Sequence, residues 1–271
     1  MSEKAAMTGG SVFDEHASRK LEAAYQTPDV IAQRQETLRA LALRPSERVL
    51  DIGAGPGLLV AEMAQEVGPS GHVTGLEISD SMLALSRARC ANPAVREQVS
   101  FVKADAVALP FRDEAFDVAV STQVYEYVAD LDAALAELNR VLRIGGRTLI
   151  LDTDWDSIVW NASDEGRMHR LLAAWTERFA DAHLPRSLAR RLKDAGFHVD
   201  GRKVLVLFNP EYDPNTYSIA NGQIMADFAV ARQRMTQEEA QAWMEDLQRL
   251  GQARRYFFSL NRYLFTATRV R

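Results

Sequence analysis

From residue 48 to residue 152 short β-rich runs alternate with amphipathic helical segments, and this alternation constrains the fold more than any other feature of the chain. The runs are RVLDI (48–52), HVTGLEI (72–78), VSFVKA (99–104), FDVAVS (116–121) and GRTLILD (146–152). Strands that return through a helix cannot pair as tight hairpins, so the order builds a mostly parallel sheet with helices on both faces. The intervening helices are LLVAEMAQEV, SMLALSRARC starting after Ser79 or Asp80, and DLDAALAELNRVL, which Gly145 and Gly146 should end. Upstream, residues 29–43 read as a helix, and residues 1–13 as a loose end.

Beyond residue 153 the spacing predicts helices in MHRLLAAWTERFADAH and SLARRLKDAGF, then a strand KVLVLF (203–208). Residues 209–254 read as two further helices before a final strand-like run, RYFFSLNRYLFTATRV. Thr236 and Glu239 stand in capping-box register at the start of the second, whose apolar face is Ala240, Trp243, Met244, Leu247 and Leu250. A helical pair between the last two strands suits a cap over a pocket. Arg254, Arg255, Arg262, Arg269 and Arg271 should face outward from the closing strand, with its aromatics inward.

The loop after the first strand sits at the carboxyl edge of the sheet, where α/β folds bind ligands. Its sequence, VLDIGAGPGLL, carries Gly53, Gly55 and Gly57, but Leu58 stands where a dinucleotide fingerprint needs its third glycine. Leu58 and Leu59 likewise replace the Lys and Ser or Thr of a phosphate loop. The ligand expected here has no phosphate but a ribose, an adenine and an amino-acid tail. Glycines would let backbone approach it where a Cβ would collide, Glu77 would accept from ribose hydroxyls, and Asp105 from an exocyclic amine.

Four motifs, VLDIGAGPG, GLEISDSML, ADAVALPFRDEAFDVAVS and ALAELNRVLRIGGRTLI, occur in order over residues 45–153. With them the chain resembles the class I S-adenosylmethionine-dependent methyltransferases, in particular the ubiquinone/menaquinone biosynthesis branch. The resemblance implies a Rossmann-like α/β sheet, mostly parallel with an antiparallel last strand. It also implies S-adenosyl-L-methionine as cofactor and S-adenosyl-L-homocysteine as product, with no metal. Asp51, Gly53, Ala54, Gly55 and Gly57 would then shape the methionine pocket and Glu77 hold the ribose; Ile78 and Met82 would flank the adenine, with Asp105 and Ala106 at its edge. Ser121 or Thr122 would line the pocket after the fourth strand. Tyr127 stands where the family often has His, and Ile144 where it often has Pro.

Methyl transfer from a sulfonium needs alignment above all, and a base only where the accepting atom must lose a proton. Asp152, Asp154 and Asp156 alternate around Trp155 as the fifth strand runs out, and at strand spacing would share a face; Asp154 is the candidate base, its rival role being a loop or capping acid. Substrate candidates are Tyr25, Tyr125, Tyr127, Trp155, Asp156 and Trp160, the two tryptophans being equally suited to a core. Glu126 reads as a solvated helix-start acid. Arg34 could reach the cofactor carboxylate from the helix at 29–43, or form a surface salt bridge. No histidines have metal-ligand spacing, and Cys90 reads as packed.

These features divide the chain into residues 1–44, an extension and helix covering the cofactor, and residues 45–271, a methyltransferase domain with 209–254 as its cap. A net charge of −5 gives no reason to expect a polyanion, and no run suits a signal peptide or a membrane span, so the sequence reads as a cytoplasmic enzyme. The expected acceptor is a small molecule methylated on O, N or C. RNA or protein methylation, and a cofactor-binding module without turnover, are the other readings.

Overall fold

The computed structural model describes residues 15–271; the loose end expected over residues 1–13 lies outside the described residues. Five strands form the parallel part of the sheet: β1 (Arg48–Ile52), β2 (His72–Glu77), β3 (Val99–Lys103), β4 (Phe116–Thr122) and β5 (Leu142–Thr153). Helices α3 (Leu58–Val67), α4 (Asp80–Arg89) and α5 (Leu131–Val141) cross between them. Val49, Leu50 and Ile52 on β1 are fully buried, as a central strand covered on both faces requires. Ser79 caps α4 and Asp130 caps α5, each side chain accepting a backbone N–H of the first turn.

Three further strands complete a sheet of order β3-β2-β1-β4-β5-β8, with β7 (Phe197–Asn209) pairing antiparallel to β8 (Phe258–Arg269). β8 also runs antiparallel to β5, so the expected mostly parallel sheet with an antiparallel last strand is present. The two-residue β6 (Val159–Trp160) pairs with Phe258 and Ser259 at the start of β8. Helices α6 (Glu165–Thr176) and α7 (Pro185–Asp194) precede β7.

The two helices expected over residues 209–254 are α8 (Tyr217–Ala231) and α9 (Gln237–Gln252), a pair that connects β7 to β8; α9 opens with the Thr236/Glu239 capping box. With α6 it encloses its own apolar core around Trp160, Trp175, Met225, Trp243 and Phe258. A Cβ on Gly222 would lie 2.9 Å from Trp160 and 3.2 Å from Trp243, so the closeness of α8 to these rings depends on that glycine.

Three elements depart from expectation. Gly145 and Gly146 do not end α5; the chain enters β5 directly at Leu142, and a Cβ at Gly146 would meet the Arg143 carbonyl at 2.7 Å. The helix at α2 (Pro28–Leu41) packs against β5, β7 and α3, on the sheet. A further helix that the sequence did not reveal, α1 (Glu15–Ala24), packs against α4 and α8.

Candidate functional site

The glycine loop closes on itself before it offers anything to a ligand. Gly53 and Ala54 both donate to the Leu76 carbonyl, and Gly53, Gly55 and Gly57 all have positive φ, at 75°, 51° and 75°. A Cβ on Gly53 would stand 2.2 Å from Val124, and one on Gly57 2.8 Å from Ser86, whereas one on Gly55 would meet nothing within 4 Å. Only Gly55 therefore faces open space; the other two are glycine because the loop packs on its own neighbours. This corrects the expectation that all three make room for a ligand.

Two acids stand beside the loop. The Glu77 carboxylate accepts from the backbone N–H groups of Gly55, Ile78 and Ser79 at 2.9, 2.9 and 3.0 Å. A carboxylate offers about four acceptor positions, so roughly one is left for a hydroxyl. Asp51 is 1% exposed; burial and the neighbouring Glu77 charge push its carboxyl up to about 7, and its Oδ1 has no hydrogen-bond partner among the described residues. Met82 and Ala106 are buried, Ile78 is half-buried, and Asp105 is exposed, accepting from Val107. Ser121 Oγ is buried and unpartnered, and Thr122 is half-buried.

A second hollow lies where the β4 loop meets the cap. Its walls are Leu21, Tyr25, Gln123, Glu126, Tyr127, Trp155, Trp175, Arg178, Tyr217, Asn221, Ile224 and Arg262. Free volume is about 20 Å³, room for a water molecule. Glu126, expected to be solvated, is 1% exposed and accepts from Trp155 Nε1 at 3.1 Å. Burial raises its carboxyl to about 7 although Arg262 and the Trp155 bond pull the other way. Burial and the Glu126 charge likewise push Asp152 well above the usual range; it accepts from Val124 N–H and is fully buried.

α1 links the chamber wall to α4 and the cap. Glu22 pairs with Arg89, whose Nε also donates to the Pro56 carbonyl in the glycine loop at 2.9 Å. Ser18 bonds Ser81 on α4 at 2.8 Å, and Lys20 bonds Asp227 on α8 at 2.6 Å. Leu21 and Tyr25 enter the chamber wall from the same segment.

Residues 50–150 match the family described as a methyltransferase domain. The chain is 39% identical over 119 residues to the ubiquinone/menaquinone biosynthesis C-methyltransferase UbiE of Shewanella sp., covering 44% of this chain and 47% of that protein. It is also 39% identical over 168 residues to an uncharacterised 37.1 kDa protein in transposon TN4556 of Streptomyces fradiae, covering 60% and 46%. The chain thus spans about half the length of the curated relatives it matches. Among solved structures, a phosphoethanolamine N-methyltransferase 2 of Haemonchus contortus, in complex with S-adenosyl-L-methionine, superposes with a TM-score of 0.63 at 20% identity, over 96% of this chain and 58% of that one. Residues 50–150 of this chain thus form a methyltransferase domain, on a fold shared with a methyltransferase solved with S-adenosyl-L-methionine.

The edge of this methyltransferase domain fits such a cofactor on its own geometry: a buried acceptor without a partner at Asp51, open space at Gly55 and an oriented carboxylate at Glu77. Arg34 does not extend to it, because its guanidinium is held by Glu62 at 2.7 Å and by the Tyr25 carbonyl at 3.0 Å. Tyr25, Tyr127 and Trp155 meet in the chamber as substrate candidates, but Tyr125 is fully buried in the main core and Trp160 in the cap core.

The three alternating acids separate. Asp152 turns inward, while the buried Asp154 and the exposed Asp156 both meet Arg186, whose Nε lies 2.6 Å from Asp154 and whose Nη2 lies 2.7 Å from Asp156. Burial raises the Asp154 carboxyl, but hydrogen bonds from Arg186 and His183 outweigh it and hold the group below its usual range. Asp154 thus sits outside the chamber wall as a structural anion, which corrects its assignment as a base, and Asp156 is exposed. Asp154, Asp156 and His183 approach within 4.8 Å of one another, a spacing open to a cation; the Arg186 guanidinium lies on both carboxylates. No helix among the described residues is long and apolar enough to cross a membrane.

Proposed function

We propose that this protein transfers a methyl group from S-adenosylmethionine to a small molecule seated in the capped chamber, with Glu126 as the general base. The observation that carries this reading is that one loop, Gln123–Tyr127, serves both hollows. Val124 packs on Gly53 beneath the cofactor edge, while Gln123, Glu126 and Tyr127 line the chamber. When bound, S-adenosylmethionine supplies the electrophilic methyl. Asp51 offers a buried acceptor to the ammonium of its methionine tail, and Glu77 its remaining acceptor position to a ribose hydroxyl.

An acid buried to about 7 divides between its two protonation states near neutral pH, the condition in which proton removal is most effective. A base of that strength suits an acceptor whose atom carries a proton, such as an activated carbon, and the relatives named as C-methyltransferases favour carbon. The chamber is walled by the N-terminal segment, the cap and β8, an enclosure that favours a small molecule over RNA or protein. The family match ends at residue 150, so the residues that choose the acceptor, on α6, α8 and β8, belong to the part of the chain beyond it.

The test has two parts. Calorimetric titration should show binding of S-adenosylhomocysteine and no heat with NADH, with binding lost in Gly55→Val. Radiolabelled S-adenosylmethionine incubated with protein and cell extract should then place label in the acid-soluble small-molecule fraction. Label in precipitated RNA or protein, or the absence of S-adenosylhomocysteine binding, would overturn the proposal.

A further inference from the structure

Arg262 is the least expected residue in the chamber. It is 1% exposed, and although its charge acts on the buried acids Glu126 and Asp152, neither forms a hydrogen bond or close ion pair with it among the described residues. One Nη donates to Gln33 at 2.6 Å, the guanidinium lies 4.6 Å over the Tyr217 ring, and Nε has no partner. Removing a charged guanidinium from water without a counter-ion costs several kcal/mol, and an arginine cannot escape the cost by losing its proton. Two other residues of the same wall carry unpartnered buried donors, Asn221 at Nδ2 and Trp175 at Nε1. The chamber therefore holds a permanent cation and three N–H donors without a hydrogen-bond partner among the described residues, at Arg262 Nε, Asn221 Nδ2 and Trp175 Nε1, and its one acid, Glu126, bonds none of them.

We propose that the methyl acceptor carries a carboxylate, which binds against Arg262 and takes a hydrogen bond from Asn221. This rests on the methyltransferase reading and names the substrate class of that same chamber. A carboxylate supplies what the wall lacks: a charge present throughout the neutral range, and planar acceptor geometry matched to a guanidinium edge. A neutral phenol or ketone leaves the Arg262 guanidinium without a hydrogen-bonded anion. A phosphate monoester brings a second negative charge beside Glu126 and Asp152, two acids whose ionisation burial already opposes. Tyr25, Trp155 and Tyr217 give the rest of the molecule apolar walls. With the carboxylate on Arg262, a proton-bearing atom nearby is presented to Glu126.

The experiment uses the full-length protein saturated with S-adenosylhomocysteine and titrated with benzoate, benzamide and phenyl phosphate. Charge-assisted hydrogen bonds to a buried cation predict that benzoate binds at least about tenfold more tightly than benzamide. Arg262→Gln should abolish that preference, and Arg262→Lys should keep part of it, with S-adenosylhomocysteine affinity unchanged in both. Equal binding of benzoate and benzamide to the wild-type protein, which depends on no variant folding, overturns the inference, as does tighter binding of phenyl phosphate. Failure to bind S-adenosylhomocysteine at the outset is the separate result that removes the methyltransferase reading itself.

Discussion

Replacing Glu126 by Gln should stabilise the protein while removing the proposed base, and the size of the effect should depend on pH. The unfolded chain titrates this carboxyl near 4.5, whereas in the folded protein burial moves it to about 7. Between those values the folded state binds more protons than the unfolded one, so stability falls as pH rises. The full displacement is worth about 3 kcal/mol, an upper limit because the group interacts with Asp152 and both share the relief. Gln keeps an oxygen for the Trp155 Nε1 bond and carries no charge. Urea unfolding at pH 5 should therefore find wild type and E126Q within about 1 kcal/mol of each other. At pH 8 the variant should be more stable by roughly 1 to 3 kcal/mol, at an unchanged m-value. Methyl transfer should fall at the same time, with S-adenosylhomocysteine binding retained. A stability difference independent of pH, or a variant less stable at pH 8 than at pH 5 relative to wild type, would refute the assignment of a buried, raised carboxyl.

The glycine loop predicts a split between positions that look alike in sequence. Gly53→Ala and Gly57→Ala should each lose roughly 2 to 5 kcal/mol of stability, because a left-handed backbone and a clash with Val124 or Ser86 combine; thermal unfolding reads this directly. Gly55→Ala should lose only the conformational cost, about 1 to 2 kcal/mol, and show its main effect in calorimetric S-adenosylhomocysteine affinity. Asp154→Asn should leave turnover within about twofold of wild type but cost about 1 to 3 kcal/mol at neutral pH, since it breaks charge-assisted bonds to Arg186 and His183. A folded-state carboxyl held low contributes stability above its unfolded pKa that is lost as pH falls, so the Asp154→Asn deficit should close in acid; a deficit that persists there would contradict the pairing.

Much of this architecture is legible because local signals and global fold agree. Helix α4 begins where Ser79 can cap it, α9 where Thr236 and Glu239 can cap each other, and the apolar runs of β1 and β4 announce strands covered on both faces. The site is less legible where side-chain direction decides. Glu126 lies in a short 3₁₀ turn, Tyr125–Tyr127, so neighbouring residues point to different places: Tyr125 into the core, Glu126 into the chamber, Tyr127 half outward. The acids 152, 154 and 156 lose strand spacing because β5 stops at Thr153 and a 3₁₀ turn begins at Trp155. Arg262 left a readable signal. Phe258, Leu260, Arg262 and Leu264 fall on alternate positions of one strand, and an arginine in an otherwise apolar row marks a buried charge. Helix α1 left only a short amphipathic pattern, and its ten residues gain their order from contacts with α4 and α8, far away in the chain.

The same contacts make α1 the element that must move. A chamber of about 20 Å³ cannot accept any acceptor larger than water while Leu21 and Tyr25 stand in its wall. Three polar links hold the helix: Glu22 to Arg89, Ser18 to Ser81 and Lys20 to Asp227. Arg89 makes one of them and also bonds the Pro56 carbonyl in the glycine loop, so Arg89→Ala should weaken closure by about 1 to 2 kcal/mol, the range for partly buried charged pairs. That raises the open population roughly 5- to 30-fold without touching either hollow's chemistry. Hydrogen exchange of the α1 amides should accelerate by that factor in Arg89→Ala, while amides of β1 and β4 keep their protection. Acceptor dissociation should quicken in step, since the bound molecule leaves by the path the helix covers. Unchanged α1 exchange in the variant would mean that apolar packing of Leu21 and Tyr25, not the Arg89 latch, keeps the chamber shut.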